Sequence, residues 1–217
     1  MVLLISSITQ SSYQCDYTIE EAHSDYIWKV IPLRNNRIAS CSWDRTIKIW
    51  NSNYPYNLIS TIKGHTSYVD SIIKLKDKDI LISGSLDKTL RKWNLLTYQC
   101  ITIINNVDCF SWNSLLEIDN NRVIVGGRYI TIVNISNDII EYQIRNDKLN
   151  YVYSFVQLRD GNILCGCKHG LIFLYDIKLN ILSFRKDKLH YEGVSCLVNL
   201  NQYQFISSYK EIKLWEY

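Results

Sequence analysis

The stretch Ser83-Gly84-Ser85-Leu86-Asp87-Lys88-Thr89, which Gly64-His65 precedes and Trp93-Asn94 follows, decides the fold. It lies among four apolar runs of four to seven residues that polar residues separate, at 69–75, 80–83, 89–93 and 99–104. Short runs rich in Ile, Val, Tyr and Thr between polar turns are typical of antiparallel strands. No window long enough for a helix has a sustained period of 3.6 residues. The stretch therefore predicts a unit of four short β-strands.

The same unit recurs along the chain with a period of 40 to 43 residues. One apolar position marks it most clearly, and its occupants are Leu33, Leu75, Ile118, Leu158 and Leu200. A fixed period of this size indicates a repeat array, and four strands per unit indicate the blade of a propeller. Because one blade cannot bury both of its apolar faces alone, the blades must stack. We therefore expect an all-β fold, a β-propeller of four-stranded antiparallel blades with about five blades.

The repeat favours one propeller domain over residues 1–217, complete or incomplete. We expect blades at about 23–62, 65–104, 108–146, 148–186 and 190–217, with further N-terminal strands within 2–19. In that segment, residues 2–8 would be a third strand and residues 13–19 a fourth strand. Either the fourth strand completes the last blade and closes a ring of five, or the chain is part of a six- or seven-bladed propeller. The register of unit two also predicts one extra residue or a β-bulge.

The motif residues resemble those of the WD-repeat family. The unit quoted above is close to the family consensus, and the first unit matches it from His23 through residues 40–46 to Trp50-Asn51. The two middle units keep the apolar positions but have Val133 and Tyr175 in place of Trp. The last unit matches in part, through His190, Ser207 and Trp215-Glu216. With five units in register, the resemblance covers nearly the whole chain.

This resemblance implies one buried hydrogen-bond network in each complete unit. The network joins the His, the second-strand Ser, the turn Asp and the third-strand Trp. The two complete sets are His23, Ser40, Asp44 and Trp50, and His65, Ser83, Asp87 and Trp93. A satisfied network rigidifies a blade, so we interpret these His and Asp residues as structural rather than catalytic. The last unit lacks the Asp, and we expect its blade to be looser.

Composition and charge narrow the class of protein. Hydrophobic residues make up 47% of the chain, and the net charge is only +3 without any basic run, which argues against nucleic-acid binding. Seven cysteines lie mostly at apolar positions and lack the spacing of a disulfide scaffold. We therefore expect a reducing, cytoplasmic location, with the nucleus left open. No apolar run approaches the length of a membrane span, and we expect no membrane partner.

No candidate catalytic or metal site stands out. Cys165-x-Cys167-x-His169 would place three ligand types on one face of a strand, but zinc sites use wider cysteine spacing and a fourth ligand. Gly126-Gly127 lacks the Lys and the following helix of a phosphate-binding loop. No nucleophile, base and orienting residue can be assigned from spacing. We expect no enzyme activity, no metal and no cofactor.

The resemblance implies that partners dock on the face that carries the His loop and the Asp turn. Large side chains, many of them aromatic, recur at positions of that face, which is typical of interface hot spots. The alternative is that these rings only pack over the ends of the blades. The predicted partner-binding residues are Tyr26, Trp28, Trp43, Tyr68, Asp70, Leu86, Tyr151 and Tyr153.

These features together predict a non-catalytic protein–protein interaction scaffold that presents a propeller surface to proteins or peptides. The alternative is a substrate-recognition subunit of a ubiquitin-ligase-type complex. In that case Arg45 and Arg91 would hold a phosphorylated peptide. An incomplete propeller would expose two blade faces and would be expected to self-associate.

Overall fold

Every regular element that the structure describes is a β-strand. The computed structural model describes residues 15, 17–109, 114–145, 151–186, 190, 193–201 and 203–216. Nineteen strands lie in this part of the chain, and they form five separate sheets. Within each sheet the strands are neighbours in chain order and run antiparallel. We call the sheets blades 1 to 5.

The strand bounds follow the repeat closely. Blade 1 contains β1 (Ile27–Leu33), β2 (Arg37–Ser42), β3 (Ile47–Asn51) and β4 (Leu58–Ile62). Blade 2 contains β5 (Val69–Lys74), β6 (Ile80–Ser85), β7 (Thr89–Asn94) and β8 (Cys100–Asn105). Blade 3 contains β9 (Leu115–Asp119), β10 (Arg122–Gly126), β11 (Ile130–Asn134) and β12 (Ile139–Ile144). Blade 4 contains β13 (Val152–Gln157), β14 (Ile163–Cys167), β15 (Ile172–Asp176) and β16 (Ile181–Lys186). Blade 5 contains β17 (Cys196–Asn199), β18 (Gln204–Ser208) and β19 (Ile212–Glu216).

The chain is thus a five-bladed β-propeller, which confirms the predicted fold class. The first strands of successive blades lie side by side, in the order β1, β5, β9, β13 and β17. Blade 5 has three strands within the described residues. The strand predicted at residues 2–8 lies outside the described residues. Of the strand predicted at 13–19, only residues 15 and 17–19 are described, and none of them is in a strand.

Apolar clusters between neighbouring blades hold the propeller together. Alternate residues of a strand point to opposite faces of its sheet, so each blade has one apolar set for each neighbour. Between blades 1 and 2, for example, Ala39 and Ile49 pack with Ile72, Leu81 and Trp93 in one fully buried cluster. Equivalent clusters fill the spaces between blades 2 and 3, 3 and 4, and 4 and 5. Burial of these apolar surfaces is the main stabilising term of the fold.

The two outermost blade faces are not covered in this way. Val30 in blade 1 has an exposed fraction of 55%, whereas Ile72, the same position in blade 2, is fully buried. In blade 5, Val198 has an exposed fraction of 51%, whereas Val156 in blade 4 is buried. We call these the leading face of blade 1 and the trailing face of blade 5. Both are apolar surfaces of the kind that is buried four times inside the array.

Polar contacts at the blade edges fix how neighbouring blades are aligned. Arg37 Nη1 donates to the Leu95 carbonyl at 3.0 Å, which joins blades 1 and 2. The buried Lys92 ammonium in blade 2 donates to the Ile135 carbonyl at 2.9 Å and pairs with Asp138 in the turn between β11 and β12. Because a buried lysine is costly unless it is paired, this contact ties blade 2 to blade 3.

Candidate partner-binding surface

All eight residues predicted to bind a partner lie at one rim of the propeller. In an antiparallel sheet the turn between the second and third strands lies at the same end as the segment that enters the first strand. We call this end the top rim. Blade 1 brings Tyr26, Trp28 and Trp43 there, blade 2 brings Tyr68, Asp70 and Leu86, and blade 4 brings Tyr151 and Tyr153.

A chain of hydrogen bonds supports this rim in blade 2. Trp93 Nε1 donates to Ser83 Oγ at 2.7 Å, and Ser83 Oγ lies 2.6 Å from His65 Nε2. His65 Nδ1 lies 2.8 Å from Asp87 Oδ2. Because an ionised carboxylate only accepts, Nδ1 carries the proton and Nε2 accepts from the serine hydroxyl. Each of these side-chain polar atoms in blade 2 then has a partner, and the four residues form the kind of network that the resemblance implied.

Blade 1 contains the same network with nearly the same distances. His23 Nδ1 lies 2.7 Å from Asp44 Oδ2, and His23 Nε2 lies 2.7 Å from Ser40 Oγ, which accepts from Trp50 Nε1 at 2.8 Å. Two threonines outside the predicted network also take part. Thr46 and Thr89 donate their hydroxyls to Oδ1 of the turn aspartates, at 2.7 and 2.6 Å. The signal for them was the Asp-x-Thr spacing that the two units share.

Blade 5 keeps only part of the network. His190 Nε2 lies 2.7 Å from Ser207 Oγ, and Trp215 Nε1 donates to the same oxygen at 2.7 Å. Glu211, from the shorter turn, comes within 3.5 Å of His190 Nδ1 but is itself 55% exposed. A solvated carboxylate at this distance is a weak substitute for a buried aspartate that accepts a hydrogen bond. We refer to the three sets, in blades 1, 2 and 5, as the blade networks.

The blade networks leave their histidines neutral. Burial lowers the pKa of His65, and this outweighs the neighbouring Asp87, which would raise it. The pKa of His23 is lowered by the same cause. Burial alone would raise the pKa of Asp87, but hydrogen bonds from His65 and Thr89 outweigh it and hold that pKa well below its usual range. Both histidine side chains are almost fully buried, so the pairs contact each other rather than a substrate.

Four aromatic rings meet at the top rim between blades 1 and 2, and we call them the aromatic cluster: Tyr26, Trp28, Trp43 and Tyr68. Trp43 is at its centre, stacked on Tyr68 at 4.6 Å between ring centroids. The ring of Trp28 is tilted against that of Trp43, with 4.8 Å between their centroids. The ring of Tyr26 meets that of Trp43 edge-on, with 5.6 Å between their centroids. Tyr26 is 71% exposed and Tyr68 is 38% exposed. The cluster is therefore both tightly packed and open to solvent.

β-Bulges direct three of the predicted side chains out of the regular ladder. In β1 the register shifts between Ile27 and Lys29, at Trp28. The register shifts in the same way at Asp70 in β5 and at Tyr153 in β13. A bulge re-aims its side chain and is over-represented beside binding sites. The sequence predicted an irregularity in unit two alone, but the structure has it in three blades, because it belongs to the repeat itself.

Asp70 lies against the aromatic cluster. Its carboxylate accepts a hydrogen bond from Trp43 Nε1 at 3.2 Å, and its exposed fraction is only 7%. Burial raises the pKa of Asp70 to about 6, although the Trp43 hydrogen bond opposes the shift. The structure thus joins Asp70 to four of the predicted residues in one contiguous site. Leu86, Tyr151 and Tyr153 lie elsewhere on the same rim, all half-buried.

A second group at the top rim combines tyrosines with basic residues. Arg128 and Lys168 each place their cation over the Tyr151 ring, at 5.9 and 5.4 Å from its centroid. The Arg145 guanidinium lies 4.6 Å from the Tyr129 ring centroid. Leu86 lies beside this group, lining a hollow of about 400 Å³ with Lys88, Arg128 and Arg145.

Of the basic residues at this rim, only Arg45 was singled out from the sequence, in the phosphopeptide alternative. Each turn between a blade's second and third strands carries one, and their side chains are exposed or half-exposed: Arg45, Lys88, Arg128, Lys168 and Lys210. The signal was present in the repeat, since each residue lies in the equivalent turn. The basic residues are scattered along the sequence and the net charge is only +3, so no basic run marks them. Residues about 40 positions apart come to one rim only when the blades stack.

The remaining candidates for chemistry stay apart. Burial strongly raises the pKa of the Cys165 and Cys167 thiols, whereas His169 is exposed in the following turn. Within the described ranges no three His, Cys, Asp or Glu residues are grouped as a metal site would require. Within these ranges, which include all seven cysteines, no cysteine forms a disulfide. No helix among the described residues has the length and apolarity that crossing a membrane requires.

Comparison with known proteins adds independent evidence. The family model described as "WD domain, G-beta repeat" matches residues 13–51 and 56–94. A protein called "Nuclear distribution protein nudF", from Aspergillus niger, is 35% identical over 92 residues, which are 42% of this chain and 21% of that protein. "Mitochondrial division protein 1" from Schizosaccharomyces pombe is 23% identical over 181 residues, 74% of this chain and 24% of that protein. This chain therefore spans about a quarter or less of the length of these relatives.

Proposed function

We propose that this chain, which belongs to the WD-repeat family of β-propellers, is a non-catalytic scaffold that binds a partner protein or peptide at its top rim. The observation that carries the proposal is the aromatic cluster with Asp70, a packed group of rings that remains open to solvent. Tyr and Trp are the residues most enriched at energetic hot spots of interfaces. The rings also restrain one another, so little side-chain entropy remains to be lost on binding.

Several observations support a binding role over catalysis. The histidine–aspartate pairs are buried and saturated within the blade networks, and we propose that their role is structural. The top rim instead presents aromatic rings, one carboxylate and a set of basic residues in the turns, which are groups that bind other proteins at interfaces. We propose a cytoplasmic location, because seven cysteines that form no disulfide among the described residues are typical of a protein in a reducing compartment.

The ubiquitin-ligase alternative has no specific observation in its favour. Arg91 lies over the Trp93 ring at 5.9 Å and donates to Thr89 Oγ1 at 3.4 Å, so its guanidinium is partly used by its own blade. Arg45 is exposed, but it is only one of five basic residues that lie in equivalent turns. The names of the two relatives refer to nuclear distribution and to mitochondrial division, and neither name mentions ubiquitin. We therefore keep the general scaffold as the proposed function.

Replacing Trp43 by alanine is expected to weaken partner binding by about 2 kcal/mol, or about thirtyfold, because Trp43 contacts every other ring of the aromatic cluster. Binding of proteins from a native extract would be quantified for immobilised wild-type and variant chains. Tyr26→Ala removes an exposed ring with less effect on packing and should also weaken binding. Tyr54→Ala is the matched control, because Tyr54 is 82% exposed and lies between β3 and β4 at the opposite rim. Equal binding by all variants would contradict the proposal.

We also propose that the chain associates with a second copy of itself through its outermost faces. The leading face of blade 1 and the trailing face of blade 5 are the two halves of the interface that occurs four times inside the chain. Their exposed apolar residues include Val30 on one side, and on the other Val198, Ile212 and Leu214. Exposed apolar faces of this kind mark association surfaces. Because the two faces differ, the contact would be heterologous.

Lysine at either face is expected to abolish self-association. Val30→Lys disrupts the leading face and Val198→Lys the trailing face, so each variant alone should sediment as a monomer. Because each retains the face that the other lacks, a mixture should form a one-to-one dimer. Leu179→Lys is the control, since Leu179 is 67% exposed in the turn between β15 and β16. Sedimentation velocity over a range of concentrations measures this, and a monomeric wild type would refute the proposal.

A further inference from the structure

Asp70 places a charge at a position where blades 1 and 4 have a neutral ring. Its bulge position in β5 is occupied by Trp28 in β1 and by Tyr153 in β13. The fold therefore does not require a carboxylate there. The residue is only 7% exposed, and burial disfavours the ionised form. A charge kept at this cost, where a neutral side chain also fits, indicates a role toward a ligand.

Within the described residues, no cation compensates this charge. The carboxylate accepts one hydrogen bond, from Trp43 Nε1 at 3.2 Å, and takes part in none of their ion pairs. An ionised carboxylate has about four acceptor sites on its two oxygens, so one hydrogen bond leaves most of its acceptor capacity unused by the described residues. Asp44 and Asp87, by contrast, are saturated by the blade networks.

The rings around Asp70 favour the same kind of ligand. Trp43 is in direct contact with the carboxylate, and Tyr68 and Tyr26 extend the aromatic surface outward from it. The negative face of an aromatic ring attracts cations, most strongly for Trp. A guanidinium group can stack on such a ring while its N–H groups donate to a carboxylate. A long cationic side chain thus satisfies both features at once.

We propose that this surface recognises an arginine or lysine side chain of a partner protein, with the cation against the aromatic cluster and paired with the Asp70 carboxylate. This inference rests on the proposed function and adds the chemistry of the partner. An acidic or phosphorylated segment would meet the Asp70 charge and would be repelled here. Such a segment would find its counter-charges instead at the basic turns of blades 3 and 4.

Peptide selection on the immobilised whole chain tests the proposal. A library of random peptides displayed on phage would be panned on the wild type, and binders would be retained if Trp43→Ala reduces their binding. These peptides are expected to share an arginine or a lysine. Panning on Asp70→Asn, which keeps an acceptor oxygen for Trp43, is expected to lose that preference.

A double-mutant cycle on one selected peptide then isolates the ion pair. Replacing its arginine by citrulline, or its lysine by acetyl-lysine, should weaken binding to the wild type by about tenfold or more. Asp70→Asn should weaken binding of the original peptide by a similar factor, and the two changes together should cost no more than one. Asp77→Asn is the matched control, since Asp77 lies in the turn after β5 at the opposite rim and its side chain is 84% exposed.

The outcomes separate this inference from the proposed function. If no selected peptide depends on Trp43, the proposed binding surface itself is wrong, and the inference fails with it. If peptides depend on Trp43 but share no cation, or if Asp70→Asn binds them as well as the wild type does, the scaffold proposal stands and the inference is wrong. Coupling between Asp70 and the peptide cation supports both.

Discussion

Replacing Ser83 by alanine is expected to lower the free energy of unfolding by about 3 kcal/mol, because two buried groups lose their only partner. Trp93 Nε1 donates to Ser83 Oγ, and His65 Nε2 accepts from it, at 2.7 and 2.6 Å. Ser83 and Trp93 are almost fully buried, so water cannot replace the hydroxyl. Each unpaired buried group costs about 1 to 3 kcal/mol, and the small volume lost with one oxygen adds little.

Urea-induced unfolding, followed by tryptophan fluorescence, measures this loss. Ser207→Ala removes the same two hydrogen bonds in blade 5, where Trp215 is only half-buried and the turn aspartate is missing. Its cost should be smaller, about 1 to 2 kcal/mol, since water can reach the indole N–H. Ser52→Ala, at an exposed loop position, should be nearly neutral. A cost at Ser83 no greater than at Ser52 would show that the network does not stabilise the blade.

The repeat made the scaffold of the fold predictable from sequence. Apolar positions recurring every 40 to 43 residues specify which faces must be buried, and the motif residues specify the turns. Contacts within one unit, such as Ser83 with Trp93, follow from that local spacing. The predicted fold class, a propeller of antiparallel four-stranded blades, is therefore confirmed, although the strands assigned to residues 2–19 are not among those described.

Contacts between units could not be derived in the same way. Trp43 stacks on Tyr68 because the turn of blade 1 reaches the first strand of blade 2, and this depends on the distance between stacked sheets. The burial of Asp70 was equally hidden, since an aspartate near a turn is normally solvated. Aromatic residues near one rim were visible in the sequence, but their convergence on one buried carboxylate emerges only from the packing of two blades.

Asp70 should also reveal a conflict between stability and binding. A buried carboxylate without a counter-ion destabilises the folded state whenever it is ionised. Its pKa is raised from 3.8 to about 6, a difference of about two units and hence about 3 kcal/mol. Asp70→Asn removes this charge and retains the acceptor for Trp43 Nε1. We therefore expect the variant to be more stable than the wild type by about 2 to 3 kcal/mol near pH 7.5, while its partner binding weakens.

The dependence on pH distinguishes this explanation from a change in packing. Below pH 3.8 the aspartate is protonated in both states, and the variant has no advantage. As the pH rises toward about 6 the unfolded chain ionises while the folded chain still holds the proton, so the wild type loses stability relative to the variant. Above that pH the difference is constant. The blade networks titrate identically in both proteins and cancel in the comparison.

Unfolding free energies of the two proteins, measured from pH 4.5 to 8, should therefore diverge as the pH rises and then run parallel. A difference that is the same at every pH would mean that the asparagine improves packing and that the Asp70 charge costs nothing. A less stable variant would mean that the carboxylate already has a counter-ion in the folded chain. In either case the charge would no longer need a ligand to explain it, so this stability measurement, made without any partner, also tests the premise of cation recognition.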